Sequence, residues 1–213
     1  MAILTIQPSN IDTILDSGNP TINYGNNTYI TLYNAGLWRP ILRFDFSALP
    51  TGSVISAAVL SLYYWYNDGG GYDPVGRTFW AYELTQTAWV ELEATWNIYK
   101  TGSNWTAAGG DYTTTSGASI TMPGSYPAWI DWNVLTLVQH FQSNHSNIAN
   151  FLIRDETESG GANAYFYSSE YTVNTTLCPK LIITYTPPDA AVWLRRITIN
   201  RDKSPRIWKR KEI

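Results

Sequence analysis

Val54-Ile55-Ser56-Ala57-Ala58-Val59-Leu60-Ser61-Leu62-Tyr63-Tyr64-Trp65-Tyr66 contains the longest apolar stretch of this chain. A membrane helix needs roughly 20 apolar residues, and Ile55 to Tyr66 offers about half that length, interrupted by Ser56 and Ser61. The stretch is too short to span a bilayer. Its β-branched and aromatic content reads instead as a strand.

Similar runs recur on both sides of it: Ile3 to Ile6, Tyr29 to Tyr33, Ile41 to Phe46, Arg77 to Leu84, Ala118 to Met122, Ala128 to Trp132, Asn150 to Arg154, Tyr165 to Ser168 and Lys180 to Tyr185. Turn-forming clusters separate them: Asp16-Ser17-Gly18-Asn19-Pro20, Asn67-Asp68-Gly69-Gly70-Gly71, Ala108-Gly109-Gly110-Asp111 and Ser159-Gly160-Gly161-Ala162-Asn163. These residues tolerate positive φ or form Asx turns. The rhythm predicts an all-β fold, an antiparallel jelly-roll β-sandwich. One segment departs from it, because Val134, Leu137, Val138 and Phe141 fall at i, i+3, i+4 and i+7 after a candidate cap at Asn133. That spacing predicts one short helix closing an end of the sandwich.

Pro187-Pro188 removes two backbone donors in succession and fixes an extended path, so the domain is expected to cover residues 1–186 and a C-terminal extended arm residues 187–213. Asp189 to Ile213 carries eight of the 14 Lys and Arg but three of the 17 Asp and Glu. The remaining chain therefore bears a formal charge of -8 and the tail +5. In the arm, Arg195, Arg196, Arg201, Arg206, Lys203, Lys209, Arg210 and Lys211 alternate with Val192, Trp193, Leu194, Ile197, Ile207 and Trp208. This mixture reads as an assembly arm, with Trp193, Arg195, Arg196, Arg206, Trp208, Lys209, Arg210 and Lys211 as its docking residues. Opposite charges steer it toward copies of the same body over about 8–10 Å. A solvated tail and nucleic-acid contact are the competing readings.

Aromatic and charged residues each make up 15% of the chain, a balance associated with extracellular and virion β-proteins. Cys178 is alone, which excludes an intrachain disulfide, and His140 and His145 do not complete a cysteine or histidine set for zinc. Met1 to Ile6 lacks the charged and apolar regions of a cleaved signal. The expectation is a protein made and assembled inside a cell.

The chain resembles the DNRLRE-type β-sandwich domains, a disaggregatase-related family partly classed with carbohydrate-binding modules. The resemblance covers roughly residues 10 to 186. It rests on Asn23-Tyr24-Gly25, Arg39-Pro40-Ile41-Leu42-Arg43-Phe44-Asp45-Phe46, Leu49-Pro50-Thr51-Gly52-Ser53-Val54, Ala94-Thr95-Trp96-Asn97, Trp105 with Gly109-Gly110-Asp111, Trp132-Asn133-Val134, Phe151-Leu152-Ile153-Arg154 and Pro179-Lys180-Leu181-Ile182-Ile183-Thr184-Tyr185. The resemblance implies a non-catalytic jelly-roll module of polysaccharide-degrading or cell-surface proteins, or of phage structural proteins. With the arm and the missing signal, the expectation is a non-enzymatic structural component of a virus particle, a phage decoration, fibre or tail protein. Its partners would be copies of itself or other virion proteins, its place the virion surface after assembly in the host cytoplasm. The alternative is a polysaccharide-binding module of a cell-surface or secreted system.

A flat aromatic ring stacks on the apolar face of a pyranose, and Trp65, Tyr66 and Trp105 beside polar loops are the glycan-binding candidates. Trp80, Trp96 and Trp132 are expected in the core, since burying an aromatic side chain of 150–250 Å² gains roughly 4–6 kcal/mol. Asp68, Asp73 and Asp111 in or beside glycine-rich turns are candidate calcium ligands, against ordinary Asx-turn duty. Without calcium no cofactor is expected. The acids of Asp155-Glu156-Thr157-Glu158 and Glu91-Leu92-Glu93 read as solvated loop groups, and a glycosidase pair 5–9.5 Å apart is not marked. No Gly-x-Ser-x-Gly elbow is present. Arg43 and Asp45, at i and i+2 of one strand, are expected to form a structural ion pair or network.

Overall fold

The computed structural model describes residues 1–188. The docking residues expected in the arm, Trp193 to Lys211, lie outside them. Among the described residues the order is β1 (Ala2–Ile6), β2 (Ile11–Asp16), β3 (Tyr29–Tyr33), β4 (Trp38–Asp45), β5 (Val54–Tyr66), β6 (Thr78–Leu84), β7 (Ile98–Lys100), β8 (Ser103–Asn104), β9 (Tyr112–Thr121), β10 (Ala128–Asn133), α1 (Leu135–Asn144), β11 (Ile148–Asp155), β12 (Asn163–Tyr167) and β13 (Lys180–Thr186).

The sheet follows the path β1-β13-β5-β12-β3-β4-β11-β6-β9, with β10 also paired to β5 and β2 to β4, while β7 and β8 form a separate small ribbon. Each of these pairings is antiparallel. The join between the two halves of the path is narrow, a single pair Tyr33↔Trp38. There the sheet folds back on itself. Leu60, Leu62, Tyr64, Phe166 and Leu181 from one half and Leu42, Phe44, Phe79, Phe151 and Ile153 from the other enter one buried cluster. The result is an all-β, sandwich-like fold.

Helix α1 covers the cluster with Leu137, Val138 and Phe141, all buried. Its cap position is Val134 rather than Asn133, although Asn133 Oδ1 still accepts from Leu135 N at 3.3 Å. A second cluster, Leu15, Ile41, Leu84, Trp89, Ala94, Trp105 and Leu152, lies on the opposite face of β2, β4, β6 and β11. The segment between β6 and β9 covers that face. Strands β2 and β11 are therefore buried on both sides, with no polar alternation to announce them.

Of the three tryptophans expected in the core, Trp132 is there, with Nε1 donating to Phe79 O at 3.1 Å. The other two expectations are corrected. Trp80 is half-buried, its ring stacked on Tyr82 at 5.4 Å on the same side of β6. Trp96 is half-buried at the margin of the second cluster, beneath the Arg39 guanidinium at 4.9 Å. Trp89 takes a fully buried place instead, held by Asn150 Oδ1 at 3.0 Å.

The expected Arg43–Asp45 pair is absent among the described residues. Arg43 donates to Asn150 Oδ1, Thr87 O and Trp89 O, whereas exposed Asp45 accepts from Ser47 N. Of the acids expected to be solvated at the end of β11, Glu156 is exposed, but Asp155 and Glu158 are not. Asp155 takes a two-pronged bond from Arg77, and Glu158 takes one from Arg39.

Truncating Trp132 to Ala should cost about 3–5 kcal/mol of unfolding free energy, because it leaves a cavity between the sheet halves. Trp80→Ala should cost about 1 kcal/mol, the worth of one partly exposed stack. Urea denaturation of both variants checks the ranking, and equal losses would contradict the burial assigned to them.

Candidate functional site

Strand alternation sends Leu60, Leu62 and Tyr64 of β5 into the core and Ser61, Tyr63 and Trp65 to the opposite face. Neighbouring strands repeat the choice. Register sets Trp129 of β10 beside Tyr63, Tyr165 of β12 beside Tyr66 and Thr31, and Tyr167 beside Tyr29. The outer face consequently carries a continuous group of rings. Tyr167 stacks on Trp65 at 5.3 Å and on Tyr171 at 3.7 Å. Lys180 Nζ sits 3.5 Å from the Trp129 ring centroid.

At one end this face opens into a cleft of about 300 Å³ lined by Thr31, Tyr33, Trp38, Asp68, Tyr72, Asn163 and Tyr165. Tyr33 meets Trp38 edge-on at 5.7 Å and Tyr72 at 6.2 Å, which makes two aromatic walls. The Asn67-to-Gly71 turn supplies the polar rim. Asn67 Oδ1 accepts from Gly69 N, an Asx turn that leaves the Asp68 side chain exposed. Asp68 Oδ2 accepts from Asn163 Nδ2 at 2.5 Å and Tyr165 OH at 3.2 Å, while Oδ1 makes no hydrogen bond among the described residues. Burial and the Asp68 charge push the Tyr165 phenol up to about 12, so it remains a donor at neutral pH. Thr31 Oγ1 is buried in the cleft lining without a partner among the described residues.

The structure brings together Trp65, Tyr66 and Asp68 from the sequence candidates, since both aromatics meet Tyr165. It does not add Trp105. The expectation of an exposed Trp105 is corrected: the ring is 4% exposed in the second cluster, and Nε1 donates to Thr95 O at 2.8 Å. The three aspartates do not converge. Asp73 accepts from Val75 N, and Asp111 ties its loop through Thr106 N and Ala107 N. Asx-turn duty accounts for Asp73, whereas Asp111 reaches back to close the loop that precedes it. Tyr33, Trp38, Tyr72, Asn163 and Tyr165 were not singled out by sequence, although aromatics alternating with core residues, as in Tyr165-Phe166-Tyr167, are a signal for such a face.

A further acid is buried where the sequence marks none. Asp12 on β2 is 1% exposed; Oδ2 accepts from Ser9 Oγ at 2.5 Å and Ser169 N at 2.9 Å, and Oδ1 has no partner among the described residues. Burial, with the Glu170 charge adding, pushes its carboxyl up to about 7. A raised acid suits glycosidic chemistry, but this one is sealed from any polymer.

A family model described as the disaggregatase related repeat domain matches residues 12–183. No curated protein matches the sequence.

The Asp12 proton makes a pH prediction. Its folded pKa of about 7 lies above the model-compound value of 3.8, so the folded state keeps a proton that the unfolded state releases between them. The resulting stabilisation is complete below about pH 4 and lost as pH rises through about 7. Each tenfold in proton affinity is about 1.4 kcal/mol, so the loss is on the order of a few kcal/mol. Asp12→Asn should flatten this slope in urea denaturation from pH 4 to 8; an unchanged slope would place the titrating group elsewhere.

Proposed function

Because the chain belongs to the disaggregatase related repeat domain family, we propose that it is a non-enzymatic glycan-binding module whose outward aromatic cleft holds a neutral polysaccharide. The observation that carries this reading is the convergence of Tyr33, Trp38, Tyr72 and Tyr165 with an exposed Asp68 and the Asn163 amide. The apolar face of a pyranose stacks on a ring wall, and paired hydroxyls donate to the free Asp68 oxygen. A hydrogen bond to a charged group contributes roughly 1.5–3 kcal/mol and a ring contact about 0.5–1.5 kcal/mol. One such bond and one ring contact together give roughly 2–4.5 kcal/mol, so a single site binds weakly, with a dissociation constant no tighter than about 0.5 mM.

The engagement of Asp12, Asp16, Asp155 and Glu158 supports a binding rather than a hydrolytic role. Asp155 and Glu158 are held by arginines, Asp16 closes its own turn through Gly18 N and Asn19 Nδ2, and Asp12 is sealed. The particle-component reading rests on arm residues outside the described ones. The described surface favours the glycan reading, which a cell-surface or secreted module and a virion surface protein would share.

Affinity electrophoresis through gels cast with neutral polysaccharides tests the proposal. Tyr72→Ala and Asp68→Asn, both at exposed side chains, should weaken retention about tenfold or more, the equivalent of 1.4 kcal/mol, with Tm unchanged. Retention by the parent protein that neither substitution alters would sink the assignment of this cleft.

A further inference from the structure

On β6 the side chains of Phe79 and Ala81 enter the main core, and Glu83 follows at the same parity. A register shift between Tyr82 and Glu83 in the pairing with β9 lies beside it, and such bulges re-aim side chains. The Glu83 side chain is 8% exposed, yet no Lys or Arg pairs with it among the described residues. Two imidazoles face it instead. His145 Nε2 lies 3.0 Å from Oε1 and His140 Nε2 lies 3.4 Å from Oε2. The three ligating atoms all fall within 4.8 Å of one another.

The fold places these groups without any local sequence motif. His140 is on the last turns of α1, and His145 ends the helix with its N–H donating to Phe141 O at 2.9 Å. Glu83 arrives from a different strand. A nearly buried carboxylate with no Lys or Arg partner among the described residues thus sits against two imidazoles, and the C-terminal end of a helix adds partial negative charge. All three groups converge on a point where they could share one cation.

We propose that Glu83, His140 and His145 form a three-ligand site for a divalent first-row transition metal, with zinc the best fit. Bonds of about 2.0–2.1 Å in a tetrahedron separate ligand atoms by roughly 3.3 Å, so the three ligating atoms, all within 4.8 Å of one another, need a small inward shift to hold the ion. One carboxylate and two imidazoles suit zinc, nickel or copper, whereas calcium requires six to eight oxygen ligands. His145 also lines a cavity of about 540 Å³ with Arg43 and Asp45, which gives solvent access to one side of the cluster. Asn144 Nδ2 lies 3.2 Å from His140 Nδ1 and donates to His140 O at 3.1 Å. With Nε2 given to a metal, the Nδ1–H faces the Asn144 side chain, whose amide oxygen can turn to accept it.

Isothermal titration of the full, metal-stripped chain with zinc chloride at pH 7.5, paired with thermal unfolding, tests the site. The expected result is one zinc per chain and a Tm rise of about 5–10 °C at a hundredfold excess over Kd, with no rise for calcium. His140→Ala, at an imidazole 43% exposed, should fold with an unchanged metal-free Tm and lose the zinc response. Glu83→Gln, which preserves shape, should weaken binding at least tenfold. Absence of a zinc-dependent rise in the parent protein, or a rise retained in His140→Ala, overturns the proposal.

Discussion

The register of β5 is the constraint on which both the core and the aromatic face depend. Leu60, Leu62 and Tyr64 point into the sandwich because Ser61, Tyr63 and Trp65 point out, and a slip of one residue would exchange the two sets. Neighbours on both edges hold it in place. β10 sets Trp129 against Tyr63 and Asp131 against Ser61, where the serine hydroxyl donates at 2.5 Å. β13 pairs from Val54 to Ser61 and β12 at Tyr64 and Tyr66. Packing and the proposed ligand surface are thus two sides of one strand. Tyr165 and Tyr167 of β12 obey the same rule, alternating with core residues Ala164 and Phe166.

With Cys178 as its single cysteine, the body ties its loops through arginines rather than a disulfide. Arg39 grips Glu158 through both oxygens, donates to Gly109 O at 2.8 Å and lies over Trp96. That joins the loop after β11 to the loop before β9. Gly109 has a φ of +88°, and a Cβ there would meet Trp96 at 2.5 Å and Arg39 Nη1 at 2.8 Å. Only glycine fits this junction. Arg77 secures the same post-β11 loop through Asp155 and Ser159 O. Breaking one partner of such a buried pair commonly costs about 3–5 kcal/mol, because the remaining charge is stranded.

Much of the architecture was legible because strand patterning needs only local information. Each of the ten anticipated runs corresponds to an observed strand, and the bounds at Tyr29–Tyr33 and Val54–Tyr66 coincide. β2 escaped notice because both its faces are buried and three of its six residues, Asp12, Thr13 and Asp16, are polar, so Ile11 to Asp16 shows neither alternation nor an apolar run. The tryptophans were harder. Size alone favours the core for Trp80 and exposure beside a polar loop favours the surface for Trp105, but which face each occupies depends on what covers the sheet. Trp65, Tyr66 and Asp68 were accessible to sequence because they follow one another into a turn. Tyr33, Trp38 and Asn163 join them only when β3, β4 and β12 are paired. Glu83, His140 and His145 likewise meet through tertiary packing, invisible to residue spacing.

The distribution of charge narrows the ligand class on the proposed reading. All six basic residues of the first 188 are engaged: Arg39, Arg77 and Arg154 with acids, Arg43 with Asn150 and backbone carbonyls, Lys180 over Trp129 and Lys100 over Tyr99. The acids outnumber them by eight, and one of the exposed acids, Asp68, stands at the cleft. A sulfated or uronate-rich chain entering there meets like charge within a Debye length of about 8–10 Å and, among the described residues, no free guanidinium to receive it. A neutral chain meets rings for its apolar faces and a carboxylate for its hydroxyls. On the proposed reading, the same arginines that hold the loops in place therefore favour uncharged sugars in the cleft.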